Sequence, residues 1–156
     1  MTFNDAAVNG VFDEIVSHAL ATGRFDYVNQ HEPKNAPHNG VQCSVWIQYI
    51  RPVRSSGMNA TSGLVVLNAR IYMDMRQQPM DSIDPNITVA TADLLNVLSS
   101  DYQLGGASGV RNIDLLGAEG QPLDATAGYL ELDRNMFRTV TINIPVVLND
   151  MFQQAA

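Results

Sequence analysis

Three histidines and one cysteine are the side chains of this sequence best suited to metal or nucleophile chemistry. His31, Glu32 and His38 lie in one segment that also contains prolines and glycine, and Cys43 follows it. Imidazole and carboxylate groups bind zinc, but a structural zinc site needs four ligands and the sequence has no second thiol. Cys43 falls on the apolar side of an alternating segment, where no cationic neighbour would lower its pKa. The pattern therefore favours a polar loop over a metal site, and a small buried side chain over a nucleophile.

A glycine-rich run at 105–109 has the composition of a phosphate-binding loop but not its context. A P-loop follows a strand, and it needs a lysine and a hydroxyl residue after the glycines, on a helix. Here the expected order is helix, glycines, strand, which indicates a hinge. The sequence also contains no G-x-S-x-G, H-E-x-x-H or C-x-x-C motif.

Enzyme activity is not expected from these residues. A Ser/His/Asp site can assemble in space, but it would have to use His18, His31 or His38, one in a helix and two in a proline-containing loop. The carboxylates are scattered over turns and exposed faces, without an obvious pair for acid–base catalysis. We therefore expect no catalytic residues, no cofactor and no bound metal. The more distant alternative is a small ligand-binding or enzymatic α+β domain, which a deep pocket with a histidine and a carboxylate would favour.

The chain of 156 residues, with a net charge of -7, suits one acidic domain over 1–156. Nucleic-acid affinity comes mainly from lysine and arginine, which neutralise phosphates, so this acidic chain should not bind nearby DNA. A single cysteine allows no intramolecular disulfide, which agrees with a reducing cytoplasm. The sequence starts without a signal peptide and contains no run of about 20 apolar residues that could span a membrane. We expect a soluble protein without a membrane partner.

Alternating apolar residues predict two long strands, at 41–50 and 64–75, paired in a sheet with one buried and one exposed face. Further strands are expected at 110–116, 129–132 and 138–147. A turn at 133–136 joins the last two of these strands. The polar tail at 149–156 is expected to fray.

Helical spacing of apolar residues predicts two main helices. The first covers 4–22 and is ended by Gly23, while the second starts with Asp84 as N-cap and Pro85 as first residue. The predicted fold class is α+β, with a mostly antiparallel, or mixed, sheet and both helices packed on one face. Trp46 lies on the polar side of its strand, so it either sits beneath a helix or belongs to a protein interface, where tryptophan is over-represented.

A long polar loop is predicted between the first two main strands, at 51–63. Loops of about 12 residues without structure of their own are uncommon in compact domains, and are usually functional or disordered. This loop therefore either contacts a partner or is a flexible excursion, which costs little because loop-closure entropy rises slowly with length. Its two arginines are too few for a nucleic-acid patch.

The order of elements and the stretch GYLELDRNMFRTVTINIPV, at 128–146, resemble the tail terminator proteins of long-tailed bacteriophages. The lambda-like minor tail protein U family is the group it resembles most. The resemblance runs from about residue 4 to 150, with departures at 24–40 and 119–126.

The resemblance implies a structural protein whose copies form a homohexameric ring in the virion tail, assembled in the host cytoplasm. Such a ring caps the tail tube, terminates its polymerisation and offers a head-tail joining surface to the head connector, while DNA passes through without specific binding. The expected tube contacts are Arg51, Arg54, Met58 and Asn59. The expected contacts between copies are Trp46, Arg70 and Tyr72. The nearer alternative is a head-completion or stopper protein of the neck, which also forms rings but binds the portal side.

Overall fold

The computed structural model describes residues 5–37, 40–54, 60–76, 78–107 and 109–153. Within these residues the elements are α1 (Asp5–Ala21), β1 (Tyr27–Asn29), β2 (Val41–Val53), β3 (Ala60–Asp74), α2 (Ile83–Ser100), β4 (Val110–Ile113), β5 (Asp124–Leu132) and β6 (Asn135–Gln153). Two short 3-10 turns, Met80–Ser82 and Leu104–Gly106, flank α2.

The six described strands form one sheet centred on β3 and β6. Their spatial order is β1-β2-β3-β6, and the far side of β6 pairs first with β5 and further along with β4. β1 runs parallel to β2, and the other pairings are antiparallel. The predicted α+β fold with a mostly antiparallel, mixed sheet is confirmed.

Both helices pack on one face of the sheet, called here the inner face. Side chains of β2, β3 and β6 alternate along each strand, and the inward set meets the apolar stripes of α1 and α2 in one core. Fully buried members of this core include Val11, Ile15, Val45, Leu67, Ile71, Leu94, Leu98, Ile142 and Ile144. The opposite face, on which no described helix packs, is called the outer face.

The helix ends agree only in part with the prediction. Gly23 follows α1 with a φ of 69°, a left-handed conformation that glycine adopts without strain. However, α2 begins at Ile83 with Ser82 as N-cap, so Pro85 is its third residue rather than its first. Proline is tolerated there because the first four N–H groups of a helix have no acceptor within it.

The loop predicted at 51–63 is shorter in the structure. β2 continues to Val53 and β3 begins at Ala60, so the connection is confined to 54–59, of which 55–59 lie outside the described residues. The added strand residues pair with each other, for example Val53 with Ser62. Backbone pairing continues there although the side chains become polar, and the apolar pattern therefore underestimates the strands.

β5 and its turn also differ from the prediction. β5 begins at Asp124, five residues before the predicted start at Tyr129. The turn to β6 is centred on Asp133 and Arg134, whose φ values of 50° and 64° are those of a two-residue hairpin. It lies slightly earlier than the predicted 133–136.

β6 is longer than predicted at both ends. It covers Asn135–Gln153, where a strand was expected only over 138–147. Residues 149–153 were expected to fray, yet Phe152 pairs with Thr61 of β3. The rest of the predicted frayed tail, 154–156, lies outside the described residues.

Candidate protein-binding surface

One end of the outer face is crossed by residues 30–37, called here the strap. The Ala36 N–H donates to Asp133 Oδ2 at 2.6 Å, which ties the strap to the β5–β6 turn. A cavity of about 390 Å³ lies beside it, lined by Asn29, His31, Glu32, Pro33, Lys34, Asn35, Ala36, Pro37 and Gln42. His31 and Glu32 both line this cavity, and both side chains are exposed to solvent.

Tyr72, expected on an exposed surface, is only 1% exposed. Its ring meets Phe137 edge to face, with centroids 6.5 Å apart. Burial raises the pKa of the Tyr72 hydroxyl, and nearby Arg70 partly opposes this shift. The structure corrects the expected exposure, because Tyr72 is enclosed by contacts distant in sequence. Trp46 and Arg70 are the predicted interface residues that reach the surface.

Beside the strap the outer face forms a polar depression of about 390 Å³, called here the outer groove. It is lined by Gln48, Asn68, Arg70, Thr126, Ala127, Gly128, Tyr129, Leu130, Thr139, Thr141 and Asn143. Arg70 Nε donates to Thr141 Oγ1 at 2.9 Å, and Arg70 Cζ lies 5.2 Å from the centre of the Trp46 ring. Trp46 therefore lies beside a guanidinium group, a favourable cation–π arrangement, rather than beneath a described helix.

Two buried polar side-chain atoms have no hydrogen-bond partner among the described residues, Asn68 Oδ1 and Tyr72 Oη. Asn68 is 8% exposed and stands in register between Trp46 and Asn143. One N–H of the Asn143 amide donates to Asp124 Oδ1 at 2.8 Å. An unpaired buried polar group costs about 1–3 kcal/mol. Asn68 Oδ1 and Tyr72 Oη are therefore two points on the outer face of β3 where the folded chain loses stability.

The loop at 114–123 is ordered by its own hydrogen bonds. The buried Asp114 carboxylate accepts from the N–H groups of Ala118 at 2.9 Å and Glu119 at 2.8 Å. Leu123 N–H donates back to the Leu115 carbonyl at 3.3 Å. Leu116 is held on this loop with 94% of its surface exposed. Because the backbone that carries Leu116 is already held, inserting this side chain into a partner costs little backbone conformational entropy.

The β5 edge of the sheet is open. β5 pairs with β6 and with no other described strand, and Ala125, Thr126 and Ala127 are all exposed. The stretch 125–130 contains no charge and no proline, and its pairing with β6 has no bulge. Proteins ordinarily protect a free strand edge with charged residues, proline or a bulge, because an unpaired edge can bind another strand. This edge is therefore a candidate pairing surface.

The opposite edge is only partly covered. β1 pairs with residues 42–44 of β2, and the stretch 45–53 has no second strand among the described elements. This stretch carries a bulge between Ile47 and Tyr49, an exposed Arg51 and Pro52 close to its end. The two edges thus differ in sequence and in protection.

The predicted tube contacts are only partly described. Arg51 lies in β2, and its guanidinium donates to the Glu119 carbonyl. Arg54 follows the strand and is exposed. Met58 and Asn59 lie outside the described residues. The structure therefore joins Arg51 to the 114–123 loop, a contact that sequence reasoning missed and that no local pattern indicates.

Cys43 is fully buried in the core, and burial raises the pKa of its thiol to about 12. A thiol that stays protonated is a poor nucleophile, so the prediction of a small buried side chain is confirmed. Over the described ranges, no three side chains of His, Cys, Asp or Glu gather as a metal site would require. His38 lies outside these ranges.

Comparisons with known proteins add little to this geometry. No protein-family model matches the sequence, and no curated protein matches it. A similar solved structure is the PVC sheath/tube terminator of an extracellular contractile injection system in its extended state, with a TM-score of 0.36 and 14% identity. The alignment covers 100% of this chain and 61% of that one. A TM-score of this size does not establish a shared fold.

Neither described helix is both long and apolar enough to cross a membrane.

Proposed function

We propose that this protein is a structural component of a phage-type tail, in which a ring of identical copies caps the tail tube. The observation that carries the proposal is the open β5 edge, because an unprotected strand edge is a surface for joining another chain. The resemblance of 128–146 to tail terminator proteins supports a tail as the assembly that the ring joins. The ring would terminate tube polymerisation and offer a joining surface to the head.

The finer parts of the proposal follow the lambda-like minor tail protein U family. They are six copies in the ring, assembly in the host cytoplasm, and a head connector as second partner. A contact between two different edges closes into a ring when its rotation divides a full turn. The net charge of -7 suits a ring through which DNA passes, because carboxylates repel phosphates.

We assign the tube-facing end to Arg51, Arg54 and the 114–123 loop. The Arg51 guanidinium donates to the Glu119 carbonyl, so Arg51 lies beside the loop that carries Leu116. Leu116 supplies an exposed apolar anchor, and Arg54 supplies an exposed charge. The strap, tied to the β5–β6 turn, lies away from this end and faces the head side.

Electron microscopy of the purified protein mixed with cognate tail tubes tests the proposal. Rings seated on tube ends are the expected result. Arg51→Glu with Arg54→Glu should reduce the fraction of capped ends, while Lys34→Glu with Arg134→Glu, an equal charge change at exposed positions elsewhere, should leave it unchanged. Binding to portal complexes without binding to tubes would identify a head-completion or stopper protein and contradict the proposal.

A further inference from the structure

We propose that copies of this chain join by strand pairing, with β5 of one copy hydrogen-bonded antiparallel to residues 45–53 of β2 in the next. This inference rests on the proposed ring and identifies the surfaces through which the ring closes.

The direction of the strands allows this pairing without turning a copy over. β2 is antiparallel to β3, β3 to β6, and β6 to β5, so β5 runs opposite to β2 within one sheet. A copy placed beside the first in the same orientation therefore presents its β2 antiparallel to the free edge of β5. The seam has the same antiparallel pairing that dominates the sheet.

The two edges match in length. β5 covers Asp124–Leu132, nine residues. β2 covers Val41–Val53, and β1 pairs only with 42–44 of it, so 45–53, with its bulge between Ile47 and Tyr49 and with Pro52, has no second strand among the described elements. Each side of the seam therefore offers a strand of similar length.

Charge complementarity favours the same arrangement. Antiparallel pairing brings the start of β5, at Asp124, beside the end of β2, where Arg51 and Arg54 are exposed. Opposite charges on neighbouring strands stabilise a pairing, and like charges oppose it.

A two-fold pairing of β5 with β5 of another copy is the main competitor. It would place Asp124 of each copy beside Glu131 and Asp133 of the other, so that carboxylates meet at both ends of the seam. In the proposed seam, Asp124 instead lies near Arg51 of β2 and near Arg54, which follows this strand. The charges thus select a contact between two different edges, which is the kind that builds a ring.

Apolar side chains lie where the seam would bury them. Ile50 pairs with Val65, a core residue of the inner face. Tyr129 lies against Arg138, which reaches Asp84 of α2, so it projects on the same inner side. Both are exposed in the single chain, Tyr129 by 63%. Antiparallel pairing of the two edges brings these side chains to one face of the seam, where they can pack together.

Cysteine cross-linking tests the pairing directly. Ala127→Cys and Ile50→Cys, which lie opposite each other when β5 and 45–53 pair end to end, are each placed in a separate copy, mixed with tail tubes and oxidised mildly, while buried Cys43 stays out of reach. The expected product is a disulfide between the two variants. A disulfide of Ala127→Cys with itself would identify the two-fold competitor and overturn the inference. Rings seen by microscopy without either product would also overturn it and leave the proposed function standing.

A second variant tests whether the edge itself is needed. Ala125→Lys with Ala127→Lys places charges on an exposed strand, as natural edges do, and should abolish rings without lowering the melting temperature. Ala21→Lys with Ala92→Lys, on exposed helix positions, should retain them. Rings that survive the β5 lysines would overturn the inference. Wild-type protein that never forms rings beside tubes would instead contradict the proposed function.

Discussion

The two faces of the sheet differ in how fully their side chains are satisfied. On the inner face, apolar side chains of β2, β3 and β6 are covered by α1 and α2. On the outer face, β3 carries Asn68 and Tyr72, whose Oδ1 and Oη atoms are buried without a hydrogen-bond partner among the described residues. The comparison indicates that stability comes mainly from the inner face, while the open β5 edge retains backbone groups that a partner can satisfy.

The largest loss of stability is expected from Leu67→Ala on the inner face. Leu67 is fully buried, in register between Ile47 and Ile144, so truncation leaves a cavity in the centre of the core. The free energy of unfolding should fall by about 2–5 kcal/mol, as measured by urea denaturation. A loss as small as that of a surface variant would contradict the assignment of stability to this face.

A smaller loss is expected from Asp114→Ala. The change removes the acceptor for the N–H groups of Ala118 and Glu119, so the 114–123 loop loses its internal support. Stability should fall by about 1–3 kcal/mol, and hydrogen exchange of these two amides should accelerate. Unchanged exchange would show that the loop is ordered by other contacts.

On the outer face, by contrast, we expect a substitution that increases stability. Asn68→Val removes a buried polar atom without a partner, and valine suits a strand. The free energy of unfolding should rise by about 1 kcal/mol, observed as a higher melting temperature. Destabilisation comparable to that of Leu67→Ala would show that Asn68 serves the fold.

The smallest effect on stability is expected from Leu116→Ser. Because Leu116 is almost fully exposed, the free energy of unfolding should stay within about 0.5 kcal/mol of wild type. Binding to tail tubes should nevertheless weaken, since the apolar anchor is lost. Leu20→Ser, an equivalent change on an exposed position of α1, is the matched control. Equal binding by both variants would remove Leu116 from the tube contact.

Sequence patterns predicted the inner face well and the outer face poorly. The alternation along β3 identified a long strand, and buried Cys43 followed from the same rule. The first half of β5 has little contrast between apolar and polar residues, so backbone pairing defines it rather than side-chain burial. The enclosure of Tyr72 and the contact from Arg51 to Glu119 join residues far apart in sequence. Local periodicity carries no information about such contacts.

Growth of tail tubes from purified tube subunits tests the central claim most directly. Tube lengths are measured by electron microscopy with and without this protein, added after growth has begun. We predict that growth stops at the length reached on addition and that rings occupy the ends. Tubes that continue to lengthen beside an excess of folded protein would contradict the claim that this chain caps them.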